Sequence, residues 1–221
     1  MLENVTSPPI RNSDMAIFIP MDEEFLVVRE IIPCANGFIY KGHAHHWLPS
    51  FGSLRNVMFL CPNCQGPEDA LSAAHHLFSN FAITSICVIG IAGALNHDLK
   101  LGDVALADII ADYGYRQKTV DGSQGYHVRQ GGREWPLPNE VQRILRQIRV
   151  GAPELYDAWQ SESYAEMQSR NEISQCRRPR AHVGKIASGP SVIASRQYAN
   201  ELLVSSRLYL ACEMESAGIV S

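Results

Sequence analysis

SICVIGIAG, residues 85 to 93, is an unbroken apolar run, rich in β-branched side chains and punctuated by glycines at its end. A run without polar alternation suits a strand covered on both faces, as happens in a parallel sheet. It predicts a strand at the centre of such a sheet. The segment before it, EDALSAAHHLFSNF (68–81), opens with acids and repeats its apolar residues at helical spacing, so it predicts a helix leading into that strand.

Toward the amino terminus, NVMFLC and MAIFIP (15–20) are further strand-type runs, and DEEFLVVREII (22–32) is an amphipathic helix opened by acids. Between them, residues 33–56 are rich in Gly, His and aromatics without a clean period and read as irregular loops or short edge strands. The polar stretch MLENVTSPPIRNSD (1–14) reads as a flexible lead-in. Toward the carboxyl terminus, DVALADIIADYGYRQ offers one or two strands, VDGSQGYHVRQGG is turn-rich, and LPNEVQRILRQIRV is an amphipathic helix. Residues 151–180 read as helix and loop, AHVGKIASG as a strand, SRQYANELLVSS as a helix and RLYLACEM as a last strand. Strands alternating with helices predict a three-layer α/β/α fold around a mixed, mostly parallel sheet, with residues 15–221 forming a single domain.

Bulk properties narrow the function classes. A formal net charge of −4 argues against a surface that tracks nucleic-acid phosphates. The first fourteen residues lack the basic start and apolar middle of a signal peptide, and no stretch has the apolar length that spans a bilayer. The expectation is a cytoplasmic protein, with its six cysteines as thiols and with no nucleic-acid or membrane partner.

In open α/β sheets ligands bind outside the carboxyl ends of the strands, where loops converge and helix amino termini point at the ligand. Four strand runs finish in distinctive groups: AIFIP in MDEE, CVIGI in AGAL, HVGKI in ASGP and LYLAC in EMES. With their carboxyl ends on one edge, these groups share one cleft.

These residues resemble a known superfamily. VIGIAGALNHDLKLGDVALAD (88–108) is similar to the glycine-containing strand end and LGDV segment of the nucleoside phosphorylases and methylthioadenosine/S-adenosylhomocysteine nucleosidases. PMDEEF (20–25) resembles the nucleosidases' AMEEEV start, IASGPSVI (186–193) their IASGDxFV loop, and CEMES (212–216) their VEMEA segment. All four occur in the family's order and approximate spacing. The resemblance implies a nucleoside phosphorylase-like fold and a small-molecule nucleoside or nucleotide as partner. It also implies a homo-oligomer, with a dimer favoured, and no cofactor or metal.

Cleaving an N-glycosidic bond passes through an oxocarbenium-like sugar, which calls for a carboxylate to activate water, an acid for the departing base and contacts to the ribose hydroxyls. By resemblance Glu24 is the catalytic base toward water and Glu215 accepts hydrogen bonds from the ribose hydroxyls. Met214 packs against the sugar, the backbone of Ala92 and Gly93 lines the pocket, and Val192 and Ile193 border the base. Read without the resemblance, the acids of MDEE equally suit the first turn of a helix, and Glu213 and Glu215 suit a solvated turn.

The sequence departs from the family at three places. Its phosphorylases carry a glycine and an arginine after the first strand to hold phosphate, whereas acids stand there in this chain, which favours water as nucleophile. Val192 stands where the nucleosidases carry an aromatic, and Pro190 where they carry an acid. The family's general acid, an aspartate, lies beyond the EME segment and past the last residue of this sequence, so the domain is expected to be incomplete at its carboxyl terminus and no residue takes that role by match. The leading expectation is hydrolysis of a purine nucleoside or nucleotide, releasing the base. A phosphorolytic enzyme and a non-catalytic nucleotide-sensing module of a larger multidomain protein are the alternatives.

Three clusters remain. CPNC (61–64) has no second CxxC partner for a tetrahedral zinc site. GHAHHW (42–47) reads as a loop with exposed histidines, and Arg177, Arg178 and Arg180 as a solvated basic turn that is also able to meet phosphates.

Overall fold

Along β3 (Ala16–Phe18) and β6 (Leu54–Leu60) successive side chains point to opposite faces of the sheet, and both faces are buried along β3 and from Val57 to Leu60 of β6. Ala16, Phe18, Met58 and Leu60 pack with Ala70, Ala73 and Leu77 of α2 (Pro67–Asn80). On the other face Ile17, Ile19, Val57 and Phe59 pack with Phe25 of α1 (Asp22–Ile31). A helix therefore covers each face of the sheet. This is the layered α/β arrangement that the alternating pattern predicts.

The computed structural model describes residues 2–32, 36–62, 65–115, 118–122, 125–129, 132–170, 177–206 and 208–221. The chain divides into two compact units, one of Met1–Ile91 with Met214–Ser221 and one of Ala92–Glu213. The first holds a six-stranded mixed sheet. It is completed by β1 (Glu3–Asn4), β4 (Asn36–Tyr40), β5 (His43–Phe51) and β8 (Ile86–Val88), in the order β1-β4-β5-β6-β3-β8. The pairs β6/β3 and β3/β8 are parallel, while β4, β5 and β6 form an antiparallel meander. A small parallel pair joins β2 (Asn12–Ser13) to β7 (Ala82–Ile83). The unit is completed by α6 (Ser216–Val220).

The second unit carries a five-stranded sheet, with order β13-β10-β14-β15-β9. Its three parallel strands are β10 (Val104–Asp112), β14 (Ala181–Ser188) and β15 (Tyr209–Glu213). The flanks β9 (Gly93–Ala94) and β13 (Arg133–Pro136) run antiparallel to their neighbours. A separate hairpin joins β11 (Lys118–Gly122) to β12 (Gly125–Arg129). The helices are α3 (Asn139–Gly151), α4 (Pro153–Ser169) and α5 (Arg196–Ser205). Leu202 of α5 is buried with Ala111, Ala187 and Tyr209 from the sheet. No helix among the described residues is long and apolar enough to cross a membrane.

Four readings change. SICVIGIAG contributes a strand, but β8 ends the six-stranded sheet, and β3 lies between β6 and β8. The apolar length of the run reflects the loop after it as well, where Ile91 is 83% exposed. Of the segment 33–56, residues 33–35 lie outside the described residues and the rest is largely regular, because its Gly- and His-rich composition hides an antiparallel alternation whose buried partners include histidine. The lead-in pairs with β4 through Glu3 and Asn4 and with β7 through Asn12 and Ser13. The turn-rich segment after Val120 is a hairpin.

The histidines of GHAHHW lie on β5, and His45 is fully buried. Its ring stacks on Phe38, lies tilted against Phe81, and brings Nε2 to 3.1 Å from Nε2 of His76 on α2, whose ring also contacts His43. Burial, with His76, His43 and His46 nearby, lowers the His45 pKa to about 3, and burial with His43 and Lys41 lowers that of His76 to about 4. Among the described residues no group of three or more His, Cys, Asp or Glu is arranged to hold a metal ion. Cys64 of the CPNC pair lies outside the described residues.

The histidine pair makes stability depend on pH. In the unfolded chain both imidazoles titrate near about 6.5, so between that value and the folded pKa values the unfolded state binds more protons. Stability is then complete above about pH 7 and falls as pH drops through 6.5 toward the folded values of about 3 and 4. Melting curves between pH 7.5 and about pH 4.5 are expected to show a declining Tm, and His45→Phe is expected to flatten that decline. Parallel declines in the two proteins would show that other groups carry it.

Candidate active site

Parallel strands place their carboxyl ends on one edge, and in the first unit this brings the residues after β3 and β8 together. Ile19 N donates to Leu60 O and Ile89 N to Phe18 O, which carries the register just past the strand ends. From there Pro20 and Met21 lead into α1, and Glu24 is the third residue of that helix. Its Oε2 accepts from Met21 N at 3.1 Å, and its Oε1 accepts from Ile91 N at 2.6 Å. The first bond is the helix-capping role that a first-turn acid can play; the second ties the same carboxylate to the loop after β8. Glu24 thus serves local structure and still stands, half-buried, at the strand edge.

Glu213 and Glu215, two residues apart in sequence, have different surroundings. Strand β15 ends at Glu213, whose carbonyl accepts from Gly189 N and whose charge helps raise the pKa values of Tyr113 and Cys212. The chain then passes into the first unit, where Met214 is half-buried and Glu215 precedes α6. Glu215 is 7% exposed, and its Oε1 accepts from Gly66 N at 3.0 Å while its Oε2 accepts from Met214 N at 3.3 Å. Gly66 is the residue before α2, so Glu215 is fastened to the start of a helix 149 positions away. Strand alternation does not extend to Glu215, because the strand has already ended.

What brings Glu215 there is the approach of α6 to α2. A Cβ on Gly218 would lie 2.0 Å from the carbonyl oxygen of Pro67, so only glycine lets the helix backbones come this close. The AG pair inside ESAGIVS is the signal that sequence reading passed over.

The other candidate residues belong to the second unit. Gly93 pairs with Cys212 across β9 and β15, and the Cys212 thiol donates to Gly93 O at 3.4 Å. Burial raises the pKa of that thiol, which keeps it protonated and poorly nucleophilic. Ala92 is exposed beside Gly93. In the segment after β14, Val192 is 74% exposed while Ile193 packs against the core of α5 and the sheet, so these neighbours face different environments.

Tyr113, at the carboxyl end of β10, is a positioning residue that sequence reading missed. It is 1% exposed, donates from its hydroxyl to Ser191 O at 3.0 Å and accepts from Ser191 N at 3.4 Å. Burial pushes its pKa up to about 12, so the hydroxyl stays a donor. Its ring lies where a side chain on Gly189 would be, with a Cβ there only 2.4 Å from Tyr113 Cζ. The aromatic in DYGYRQ and the glycine in ASGP thus fix the loop that carries Val192.

Substitution at the closest of these contacts has a definite outcome. Gly218→Ala is expected to lower unfolding free energy by about 1–3 kcal/mol or more in urea titrations, because the carbonyl of Pro67 cannot yield as a side chain can. The neighbouring Ala217→Gly, which creates no clash, is expected to cost about 1 kcal/mol. Equal effects would remove the close approach as the reason for glycine.

Residues 14–221 match the family described as the phosphorylase superfamily. Among solved structures, Helicobacter pylori 5′-methylthioadenosine/S-adenosylhomocysteine nucleosidase is similar with a TM-score of 0.64 and 16% identity, over 96% of this chain and 78% of that one. Streptococcus pyogenes S-adenosylhomocysteine nucleosidase gives 0.63 and 19%, over 96% and 77%. Helicobacter pylori futalosine hydrolase gives 0.62 and 15%, over 95% and 81%. Comparison with the curated proteins gives no match. With the family match spanning nearly its whole length, and with the mixed-sheet α/β fold of those nucleosidases, the chain belongs to the phosphorylase superfamily.

Proposed function

We propose that this protein hydrolyses the N-glycosidic bond of a purine nucleoside or nucleotide and releases the free base. The observation that carries this reading is the Glu24 carboxylate, held by Met21 N and Ile91 N at the carboxyl edge of β3 and β8. Two backbone donors fix the carboxylate oxygens in place, and each keeps acceptor capacity for a water molecule. Asp22, Glu23 and Glu24 together make this strand end acidic, which disfavours phosphate and leaves water as the nucleophile.

In the proposed reaction, water adds to C1′ of the ribose as the bond to the base breaks, and the base departs with the bonding electron pair and takes up a proton from solvent, while the proton that Glu24 receives from the attacking water returns to solvent. Glu24 accepts the proton from the attacking water as positive charge develops on the sugar. Glu215 accepts hydrogen bonds from the ribose hydroxyls, its orientation set by Gly66 N and Met214 N. The family resemblance assigns Met214 to the sugar, the backbone of Ala92 and Gly93 to the lining, and Val192 and Ile193 to the base. None of these residues is given the task of protonating the departing base. The nucleosidases similar in fold support this choice of chemistry, and one of them, from Streptococcus pyogenes, was crystallised with 5-methylthiotubericidin.

Chromatographic measurement of base release from purine nucleosides and nucleotides, with and without inorganic phosphate, tests the reading. Release without phosphate is expected, with Glu24→Gln slowing kcat by about 10²–10⁴-fold. Glu215→Gln is expected to lower kcat/KM by about tenfold to a hundredfold, as loss of charged hydrogen bonds does. A strict phosphate requirement would make the protein a phosphorylase. Nucleoside binding with no turnover in either the parent protein or Glu24→Gln would favour the sensing module.

A further inference from the structure

The second unit contains a cavity of about 580 Å³ between α3, α4 and the chain entering β14, and its cationic lining is Arg146, Arg149, Arg177, Arg178, Arg180 and His182. Among the described residues no Asp or Glu lines it. It opens at the amino end of β14, whereas Gly189, Val192 and Ile193 follow the carboxyl end of the same strand. Eight residues of extended chain, on the order of 25 Å, separate the two ends. Within this unit the cavity is therefore distinct from the residues that follow β14.

The charges behind its wall are already committed. Asp103, whose side chain is 1% exposed, takes Arg177 Nη2 at 2.5 Å, His182 Nε2 at 3.1 Å and the backbone N–H groups of Lys100 and Arg180. Burial works against its charge, yet the bonds from Lys100, Arg180 and Arg177 hold its pKa below the usual carboxylate range. Asp108 takes Arg146 at 2.8 Å. Arg149, Arg178 and Arg180 have no side-chain hydrogen bond or ion pair with the described residues, leaving three guanidinium groups around one concavity uncompensated.

The wall that carries two of them is fixed. Gln160 Nε2 donates to Pro179 O at 2.6 Å, Ala181 N donates to Tyr156 Oη at 3.1 Å, and Pro179 is fully buried. This backbone holds Arg178 and Arg180 on either side of an anchored proline, unlike a loose basic turn whose charges swing apart in solvent. Guanidinium forks match phosphate oxygens, and several fixed forks favour a ligand with more than one phosphate. The volume lies within the range of about 300–1,000 Å³ usual for small-molecule sites. Ile148 and Val183 add apolar lining beside the charges, suited to the organic part of such a ligand.

We propose that this cavity binds the di- or triphosphate group of a small molecule, at the end of β14 opposite to Gly189, Val192 and Ile193. A compact concavity in a chain of net charge −4 fits a small polyphosphate better than the extended backbone of a nucleic acid.

Isothermal titration of the full chain with inorganic tripolyphosphate at low ionic strength tests this. Saturable binding that weakens as sodium chloride is raised is expected. Arg178→Ala with Arg180→Ala is expected to reduce affinity at least about tenfold, the loss of charge-assisted hydrogen bonds, and adding Arg149→Ala to reduce it further. Arg143→Ala, on α3 but outside the lining, is expected to bind like the parent. Thermal melting checks that the variants are folded. The proposal is overturned if tripolyphosphate does not bind, or if the triple variant binds as the parent does. Tighter, arginine-dependent binding of a single-stranded oligonucleotide would also overturn it. Because the measurement reads binding alone, failure of the glycosidase reading leaves its outcome unaffected.

Discussion

A sheet covered by helices on both faces has no place for an ionised side chain in the middle of its strands. Ala16, Phe18, Val57, Met58, Phe59 and Leu60 are all fully buried, and a carboxylate at any of these points would lose its hydration with nothing to replace it. Charge is displaced to the ends of the strands, where backbone N–H groups of loops and helix starts are available. Glu24 and Glu215 both follow this rule. Each is held by two main-chain N–H donors, one of them at a helix N-cap, Met21 for Glu24 and Gly66 for Glu215, so a helix start and the aim of a carboxylate share a bond in each case.

The second unit meets the same constraint differently. Its carboxyl-edge loop after β14 is shaped by an aromatic ring: Tyr113 fills the space beside Gly189 and bonds the backbone of Ser191 in both directions. At the opposite end of the strand, Asp103 gathers Arg177, His182 and two backbone donors into one buried knot. One end of β14 is organised by packing and the other by charge.

Much of this was legible in the residues. The alternation of helix and strand, the acids opening α1 and the apolar face of α2 are local patterns, and local patterns survive folding. The resemblance of MDEE, AGAL, ASGP and EMES to one family gave the fold, since four motifs in order constrain topology more than any single run does. The histidines of β5 were illegible because an imidazole in a Gly- and His-rich stretch looks like loop, whereas His45 is stacked on Phe38 and hydrogen-bonded to a residue of α2. The resemblance singled out Glu215 over Glu213, but the physical difference between them depends on where β15 stops and α6 turns in, which no local pattern shows. The roles of Gly218 and Tyr113 rest on neighbours distant in sequence, Pro67 for one and Gly189 for the other.

The first unit is discontinuous: residues 214–221 return to it only after all of the second has been made. On a ribosome adding about 5–20 residues per second, Gly66 emerges on the order of ten seconds before Glu215 exists to meet it. During that interval α2 has its sheet contacts but lacks both the carboxylate at its first N–H groups and the helix that packs on Pro67. Closing so long a loop is entropically slow, and the half-made unit exposes the surface that α6 will later cover. Assembly is thereby given an order, in which Glu24 is seated early and Glu215 arrives only after residues 92–213 have been made.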